Sequence, residues 1–281
     1  MSTAASTLKG KVAVVTGGGT GLGKAIILRL ADEGCDVVVA ARRVGAIEQT
    51  ASEVRDVGPR ALAIRCDVTD STQCDNLIAR TLSEFGRLDI LVNNAGIVRD
   101  EQRKPLWEIT DEEWHLGIDT NLSGTFYCCR RVLKRFVEQN SGKIINIASA
   151  SGLRGYRSSY MYATAKAAVI NLTRIMAMTF STYNIQINCI APGAIDVRHM
   201  QPEPATGESG WTSGFIPVGR IGVPNDIGHL GLFLASDASA SITGGLFICD
   251  GGSLAGSVAP TGYAPVIEMK EDQDGLSRLQ S

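Results

Sequence analysis

Tyr162 and Lys166 stand four residues apart in the stretch Tyr160-Met-Tyr-Ala-Thr-Ala-Lys166. The surrounding run, Ser158 to Phe180, is rich in Ala, Met, Ile and Leu and holds no Pro or Gly, so a helix is expected there. Residues four apart share a helix face, which makes the phenol and the amine neighbours. A free phenol has a pKa of about 10, so only about one part in a thousand is ionised at neutral pH. A nearby ammonium favours the phenolate, and a drop of about three units corresponds to roughly 4 kcal/mol. A tyrosine tuned in this way can give or take a proton near neutral pH, which reducing a carbonyl or oxidising an alcohol requires. The same spacing also fits a ring at a core edge beside a solvated amine. The chemistry therefore depends on what else the chain brings to this helix.

A phosphate-binding turn is the first candidate. Lys11-Val-Ala-Val-Val-Thr16 is a β-branched apolar run that predicts a buried strand, and it leads into Gly17-Gly-Gly-Thr-Gly-Leu-Gly23 and a helix to about Glu33. Strand, glycine-rich turn and helix start together bring free N–H groups and a positive dipole to a pyrophosphate. Val37-Val-Val-Ala-Ala41 predicts the next strand, whose end would meet the adenosine ribose. An acid there would bind the 2′-hydroxyl and repel a 2′-phosphate, but the chain has Arg42 and Arg43 instead. The pair selects NADP(H) over NAD(H), with NAD(H) kept as the second choice. The alternative is a solvated helix entrance.

Further elements alternate along the chain. Helices are expected over Ala46 to Val57, Ser71 to Phe85, Thr110 to Glu138 and Pro224 to about Leu234. Strands are expected over Ala61 to Arg65, Leu88 to Val92, Lys143 to Ala148, Ile185 to Ile190 and Leu246 to Cys249. Thr110 and Glu113 form a capping box in the sequence. The pattern predicts an α/β fold: a single-domain, Rossmann-like doubly wound parallel sheet with helices on both faces. Residues 1–8 are expected to be a tail.

Composition narrows the class. With 281 residues, 44% hydrophobic and 20% charged, the chain is of ordinary globular make-up. A net charge of −2 gives no electrostatic footprint for nucleic acid or an anionic membrane. No run of apolar residues is long enough to span a bilayer, and the opening residues lack a secretory pattern. The seven cysteines form no CxxC pair and lie mostly in apolar runs, which predicts reduced thiols in a cytoplasmic protein. No cluster has metal-ligand spacing, and His199 stands alone.

Taken in order, these signals resemble the short-chain dehydrogenase/reductase family. Thr16-Gly-Gly-Gly-Thr-Gly-Leu-Gly23 is similar to its TGxxxGxG turn and Asn93-Asn-Ala-Gly96 to its NNAG motif. Ser149 follows the fifth strand, Tyr162 and Lys166 match YxxxK, Pro192-Gly193 follows the sixth strand, and Asp250-Gly-Gly252 ends the core. The resemblance implies that Tyr162 donates the proton, Ser149 binds the carbonyl oxygen, and Lys166 holds the nicotinamide ribose while tuning Tyr162. It implies that Asn121 holds a water linking Lys166 to solvent. For the cofactor it implies contacts from Gly17, Thr20, Gly21, Leu22, Gly23, Asp67, Val68, Asn94, Gly96, Pro192, Gly193 and Ile195, beside Arg42 and Arg43. It also implies a catalytic domain over 9–252 with a substrate loop over about 196–216, an extension over 253–281 beyond the usual family end, and a homotetramer with the long helices and last strand at interfaces.

Departures bear on the substrate. Where the family commonly places a threonine near the carboxamide, the chain has Val197. The segment from Arg198 to Trp211 sits where the family keeps its substrate loop, with Trp211 and Phe215 as candidate apolar walls. The 3-oxoacyl-carrier-protein reductases resemble the chain throughout the core. They usually carry carrier-docking arginines at places that here correspond to Asn140 and Tyr183. Arg130, Arg131, Lys134 and Arg135 are substitutes for that role or a solvated basic face. The reading is therefore a reductase of small or cyclic ketones, with a carrier-protein reductase as the alternative. A redox-silent NADP(H)-binding regulator is the further alternative, although it would not need Tyr162 and Lys166. The extended branch of epimerases and dehydratases spaces its first glycines differently.

Overall fold

In the computed structural model, which describes residues 8–97, 104–198, 200, 216–256, 269–271 and 277–279, the apolar runs form one parallel sheet. Its strands are β1 (Val12–Thr16), β2 (Asp36–Ala41), β3 (Ala61–Arg65), β4 (Ile90–Asn93), β5 (Gly142–Ile147), β6 (Ile185–Pro192) and β7 (Leu246–Cys249). They lie side by side in the order β3-β2-β1-β4-β5-β6-β7. Val14 of β1 pairs with Val38 on one side and Leu91 on the other, so the chain returns past its own starting strand after β3. That reversal opens a crevice beyond the carboxyl ends of β1 and β4.

The period of two along each strand divides the core between two helix layers. Val15, Val39 and Val92 face α1 (Gly21–Asp32), α2 (Val44–Asp56) and α7 (Pro224–Ala235), where Ile26, Leu30, Ile47 and Ile227 close the layer. Val14, Val38 and Leu91 face α3 (Ser71–Phe85) and α5 (Gly124–Gln139), where Leu77, Val132 and Phe136 are buried. Each fully buried side chain of this kind contributes about 1.5–3 kcal/mol, so the two apolar layers dominate the stability.

Helix ends follow local chemistry. Asp70 caps α3 by accepting from the backbone N–H groups of Thr72 and Gln73. Thr110 and Glu113 form the expected capping box at α4 (Asp111–Ile118). The helix expected to run unbroken to Glu138 is interrupted by a π-helical turn, Asp119–Ser123, before α5 begins. One extra residue in that turn rotates Asn121 into the interior and frees backbone groups. The expected helix start at Ser158 moves to α6 (Tyr160–Phe180), because Ser158 has a left-handed φ of 64°. Other boundaries fall within two residues of the sequence reading.

A short antiparallel pair, β8 (Met269–Glu271) with β9 (Ser277–Leu279), lies in the C-terminal extension. The expectations for His199, Trp211 and Phe215, and for most of the tail, the substrate loop and the extension, fall outside the described residues. Among the described residues, no helix is long and apolar enough to cross a membrane, and no His, Cys, Asp and Glu group could hold a metal. All seven cysteines are free. Six are buried and Cys249 is half-buried.

Candidate active site

A cleft of about 490 Å³ occupies the crevice. Most of the residues singled out in the sequence line it. Gly17, Thr20 and Leu22, Arg42 and Arg43, Asp67 and Val68, and Asn94 and Gly96 line one part. Ser149, Tyr162 and Lys166, with Pro192, Gly193 and Ile195, line the rest. Gly21 and Gly23 lie in the first turn of α1, behind the lining, and Asn121 is fully buried.

The start of α1 is built for an anion. Thr20 is its N-cap residue, yet its side chain makes no capping bond, and no acid occupies the first turn. The first N–H groups and the helix dipole are thus directed at the cleft without a protein acceptor from the cap. Thr20 Oγ1 instead accepts from the Arg43 guanidinium at 3.2 Å. Gly17 turns the chain at φ 66°, and a Cβ there would lie 2.7 Å from Asn94 Nδ2 and 2.9 Å from Ala95 Cα. Only glycine satisfies both the angle and the approach.

The turn is latched to β4 by Thr16, the first residue of the glycine-rich motif. Thr16 Oγ1 accepts from the N–H groups of Asn94 and Ala95, each at 3.1 Å. Asn94 Nδ2 donates back to the carbonyls of Thr16 (3.0 Å) and Gly17 (3.2 Å). At the far end, Arg42 is exposed and 3.9 Å from the Asp67 carboxylate. Two guanidiniums, an uncapped helix start and a glycine floor form a donor set that fits a phosphorylated dinucleotide.

The other end brings Ser149, Tyr162 and Lys166 together. Lys166 is buried on α6, with Nζ 5.6 Å from the centre of the Tyr162 ring. It donates to the Ile147 carbonyl at 2.7 Å. Burial pulls its pKa down to about 8, and nearby Cys189 acts weakly in the opposite direction. Ser149 Oγ accepts from the Ser151 N–H at 3.1 Å, which fixes the oxygen and leaves its proton to donate into the cleft.

Asn121 works one layer back. Its Oδ1 accepts from the Ile97 N–H at 3.1 Å, and its Nδ2 donates to the carbonyls of Ile97 (3.0 Å) and Gly117 (2.9 Å). Both amide donors are used within the protein. A water held at this residue would have to be taken by a carbonyl oxygen or by the spare lone pair of Oδ1. Gly96 fills the gap between Asn121 and Lys166, where a Cβ would lie 2.8 Å from Oδ1 and 3.4 Å from Nζ.

A second buried network was not read from the sequence. Asn93 Nδ2 donates to Asn146 Oδ1 (2.9 Å), and Asn146 Nδ2 donates to Thr173 Oγ1 (2.9 Å) on α6. It ties β4, β5 and the Tyr162 helix together beneath the site. An asparagine inside Lys143-Ile-Ile-Asn-Ile was the available signal, since a buried strand tolerates an amide only when it is paired. At the outer lip, Ile195 bridges to Gly222, and Val197 presents an apolar side chain to the cleft.

Comparisons with known proteins bear on the family and the fold. A family model described as short chain dehydrogenase matches residues 11–207. The chain is 36% identical over 248 residues to the 3-oxoacyl-[acyl-carrier-protein] reductase FabG of Chlamydia muridarum, covering 88% of this chain and 98% of that protein. It is 38% identical over 242 residues to the cis-4-hydroxycyclohexanecarboxylate dehydrogenase of Sinomonas cyclohexanicum, covering 86% and 96%. The crystal structure of levodione reductase superposes with a TM-score of 0.81 at 32% identity, covering 89% of this chain and all of that one.

Proposed function

We propose a reaction for this protein, which belongs to the short-chain dehydrogenase family: reversible hydride transfer between NADP(H) and a ketone or the corresponding secondary alcohol. One observation carries the reading. Ser149, Tyr162 and Lys166 share one cleft, with the buried ammonium 5.6 Å from the phenol ring.

Bound NADP(H) would supply or accept the hydride, and the chain's part is to position the carbonyl and move a proton. Tyr162 holds that proton at its hydroxyl and gives it to the carbonyl oxygen during reduction. Ser149 Oγ donates to the same oxygen as charge develops, and its bond to the Ser151 N–H keeps it in place. Below about pH 8 Lys166 carries the charge that favours the phenolate once the proton has left. Asn121 fixes Ile97 and, through Gly96, the space beside that ammonium.

Arg42 and Arg43 support NADP(H) as the preferred cofactor, because no acid stands at the end of β2 to exclude a 2′-phosphate. Asp67 near Arg42 partly offsets that charge, and NAD(H) remains the second choice.

The substrate reading is a small or cyclic ketone. Relatives include, by name, both a carrier-protein reductase and a dehydrogenase of a hydroxylated cyclohexane carboxylate. At the docking positions Asn140 ends α5 with φ 51° and Tyr183 is exposed, so neither is cationic. Of the basic stripe on α5, Arg131 lies 3.9 Å from Asp75, Arg135 lies 3.9 Å from Glu138, and Arg130 stacks over Phe126 and Tyr127. Three of the four cations thus have partners within the chain and Lys134 has none among the described residues, so it is the absence of a cation at Asn140 and Tyr183 that favours the small-ketone reading over the carrier alternative.

A homotetramer in the cytoplasm completes the proposal. An apolar groove of about 440 Å³ between α5 and α6, bounded by Phe126, Leu133, Leu172 and Phe180, supports packing of these helices against a second copy. The test of function is NADPH oxidation by the full chain with a panel of ketones, diketones and β-ketoacyl thioesters. Turnover of a small or cyclic ketone supports the reading. Turnover of thioesters alone supports the alternative. Binding of NADPH with no turnover of any member points to the redox-silent regulator.

A further inference from the structure

Two helix starts meet where Arg42 and Asp67 line the cleft. Thr20 is the N-cap residue of α1 and Arg43 is that of α2. Neither uses its side chain to cap its own helix, and neither helix has an acid in its first turn. The two side chains bond to each other instead, the Arg43 guanidinium donating to Thr20 Oγ1 at 3.2 Å. Both residues are exposed and both line the cleft, so a ligand there can reach the pair.

The backbones that carry this bond are held together by other contacts. α2 packs so closely on the glycine-rich turn that a Cβ at Gly19 would lie 3.0 Å from the Ala46 Cβ and 3.2 Å from its carbonyl carbon. Thr50 Oγ1 donates to the Gly19 carbonyl at 3.4 Å. Further along, Lys24 of α1 pairs with Glu53 of α2 at 2.8 Å. The distance between the N-cap residues is therefore set by the packing of the two helices. The bond from Arg43 to Thr20 adds one constraint that the packing does not supply, the direction of the guanidinium.

The two arginines differ in their neighbours. Arg42 lies 3.9 Å from the Asp67 carboxylate, which offsets its charge. Arg43 rests on a neutral oxygen and has no acid partner among the described residues. Thr20 Oγ1 accepts from Arg43 and still has its own proton to donate. A long side chain loses rotamer freedom when it is fixed on a ligand, and one already held in place loses less.

We propose that Thr20 is a positioning residue for cofactor choice: it acts through Arg43, holding that guanidinium where it meets the 2′-phosphate of NADP(H), and contributes nothing of this kind to NAD(H). The proposal rests on the reading of this cleft as the dinucleotide site. It separates the roles of the two guanidiniums, since Arg43 is oriented by a neutral partner and Arg42 is not.

The full chain is titrated with NADPH and with NADH by fluorescence, beside Thr20→Val, Thr20→Ser, Arg43→Ala and the double variant Thr20→Val with Arg43→Ala. Valine keeps the shape of threonine and removes the acceptor. Thr20→Val should weaken NADPH by about 3–10-fold and leave NADH nearly unchanged, and Thr20→Ser should bind NADPH as the wild type does. In the Arg43→Ala background, Thr20→Val should cause no further loss, because the residue it acts through is gone. A role in holding α1 against α2 alone would weaken both nucleotides equally. Equal loss of both nucleotides, a full further loss in the Arg43→Ala background, or NADPH affinity unchanged in Thr20→Val each overturns the proposal. If the wild type binds neither nucleotide, the cofactor reading of the cleft falls and takes the proposal with it.

Discussion

The Nζ of Lys166 donates to the carbonyl of Ile147, the last residue of β5, at 2.7 Å. Two residues later comes Ser149, and one helical turn before Lys166 comes Tyr162. One bond thus ties the helix bearing the phenol to the strand end bearing the serine hydroxyl.

That bond carries a pH signature. Burial holds Lys166 at about 8, against 10.5 for an exposed lysine. Below about pH 8 folded and unfolded chains both keep the proton, and the folded state bears the full cost of the buried charge. Between about 8 and 10.5 the unfolded chain keeps a proton that the folded chain has released, so stability rises with pH. Relative to Lys166→Met, which has no such group, the wild type should gain up to about 3 kcal/mol across that window. Urea unfolding of both proteins at each end of the window measures it. A constant difference would show that Lys166 titrates as an exposed amine.

Arg42→Ala tests cofactor choice. Loss of a charge-assisted contact to the 2′-phosphate should weaken NADPH by about 10–100-fold while leaving NADH nearly unchanged. Fluorescence titration with each nucleotide reports the ratio. Equal losses for both would remove Arg42 from phosphate recognition.

Gly96→Ala tests the spacing between Asn121 and Lys166. The backbone of Gly96 is not left-handed, so the added methyl acts only through its approach to Oδ1 at 2.8 Å and Nζ at 3.4 Å. The variant should lose about 1–3 kcal/mol of stability through overpacking. Its kcat should fall more than its KM rises, because the ammonium is displaced and not the substrate pocket. Unchanged kcat in a folded variant would mean that the gap is unimportant.

Asn146→Ala breaks the network under the site. Asn93 Nδ2 and Thr173 Oγ1 each lose a partner in a fully buried setting. A loss of about 2–4 kcal/mol is expected in chemical denaturation, from the cavity and the two lost hydrogen bonds together, although Asn93 Nδ2 keeps Cys129 Sγ and Thr173 Oγ1 keeps the Val169 carbonyl as partners. A loss below about 1 kcal/mol would indicate that water or rotation restores the bonds.

The strands and helices, and most residues that line the cleft, were legible because they depend on local pattern, whereas the order in which the strands lie side by side was not. Val37–Ala41 has to be a strand on its own composition, and Thr110 with Glu113 caps a helix within four residues. The π-turn at Asp119–Ser123 was not legible, since one extra residue barely disturbs a helical period. The pairing of Asn93 with Asn146 and Thr173 joins residues far apart in the chain, and no local rule reports it. Thr16 stood out as the start of the glycine-rich motif, but its partners did not, since Asn94 and Ala95 arrive only when β4 docks beside β1.

Tyr162→Phe addresses the central claim most directly, because it removes the hydroxyl and keeps the ring beside Lys166. Steady-state NADPH oxidation with a ketone substrate should fall by about 10²–10⁴-fold, while NADPH still binds with unchanged affinity. Turnover at a rate close to the wild type would contradict the assignment of Tyr162 as the group that delivers the proton.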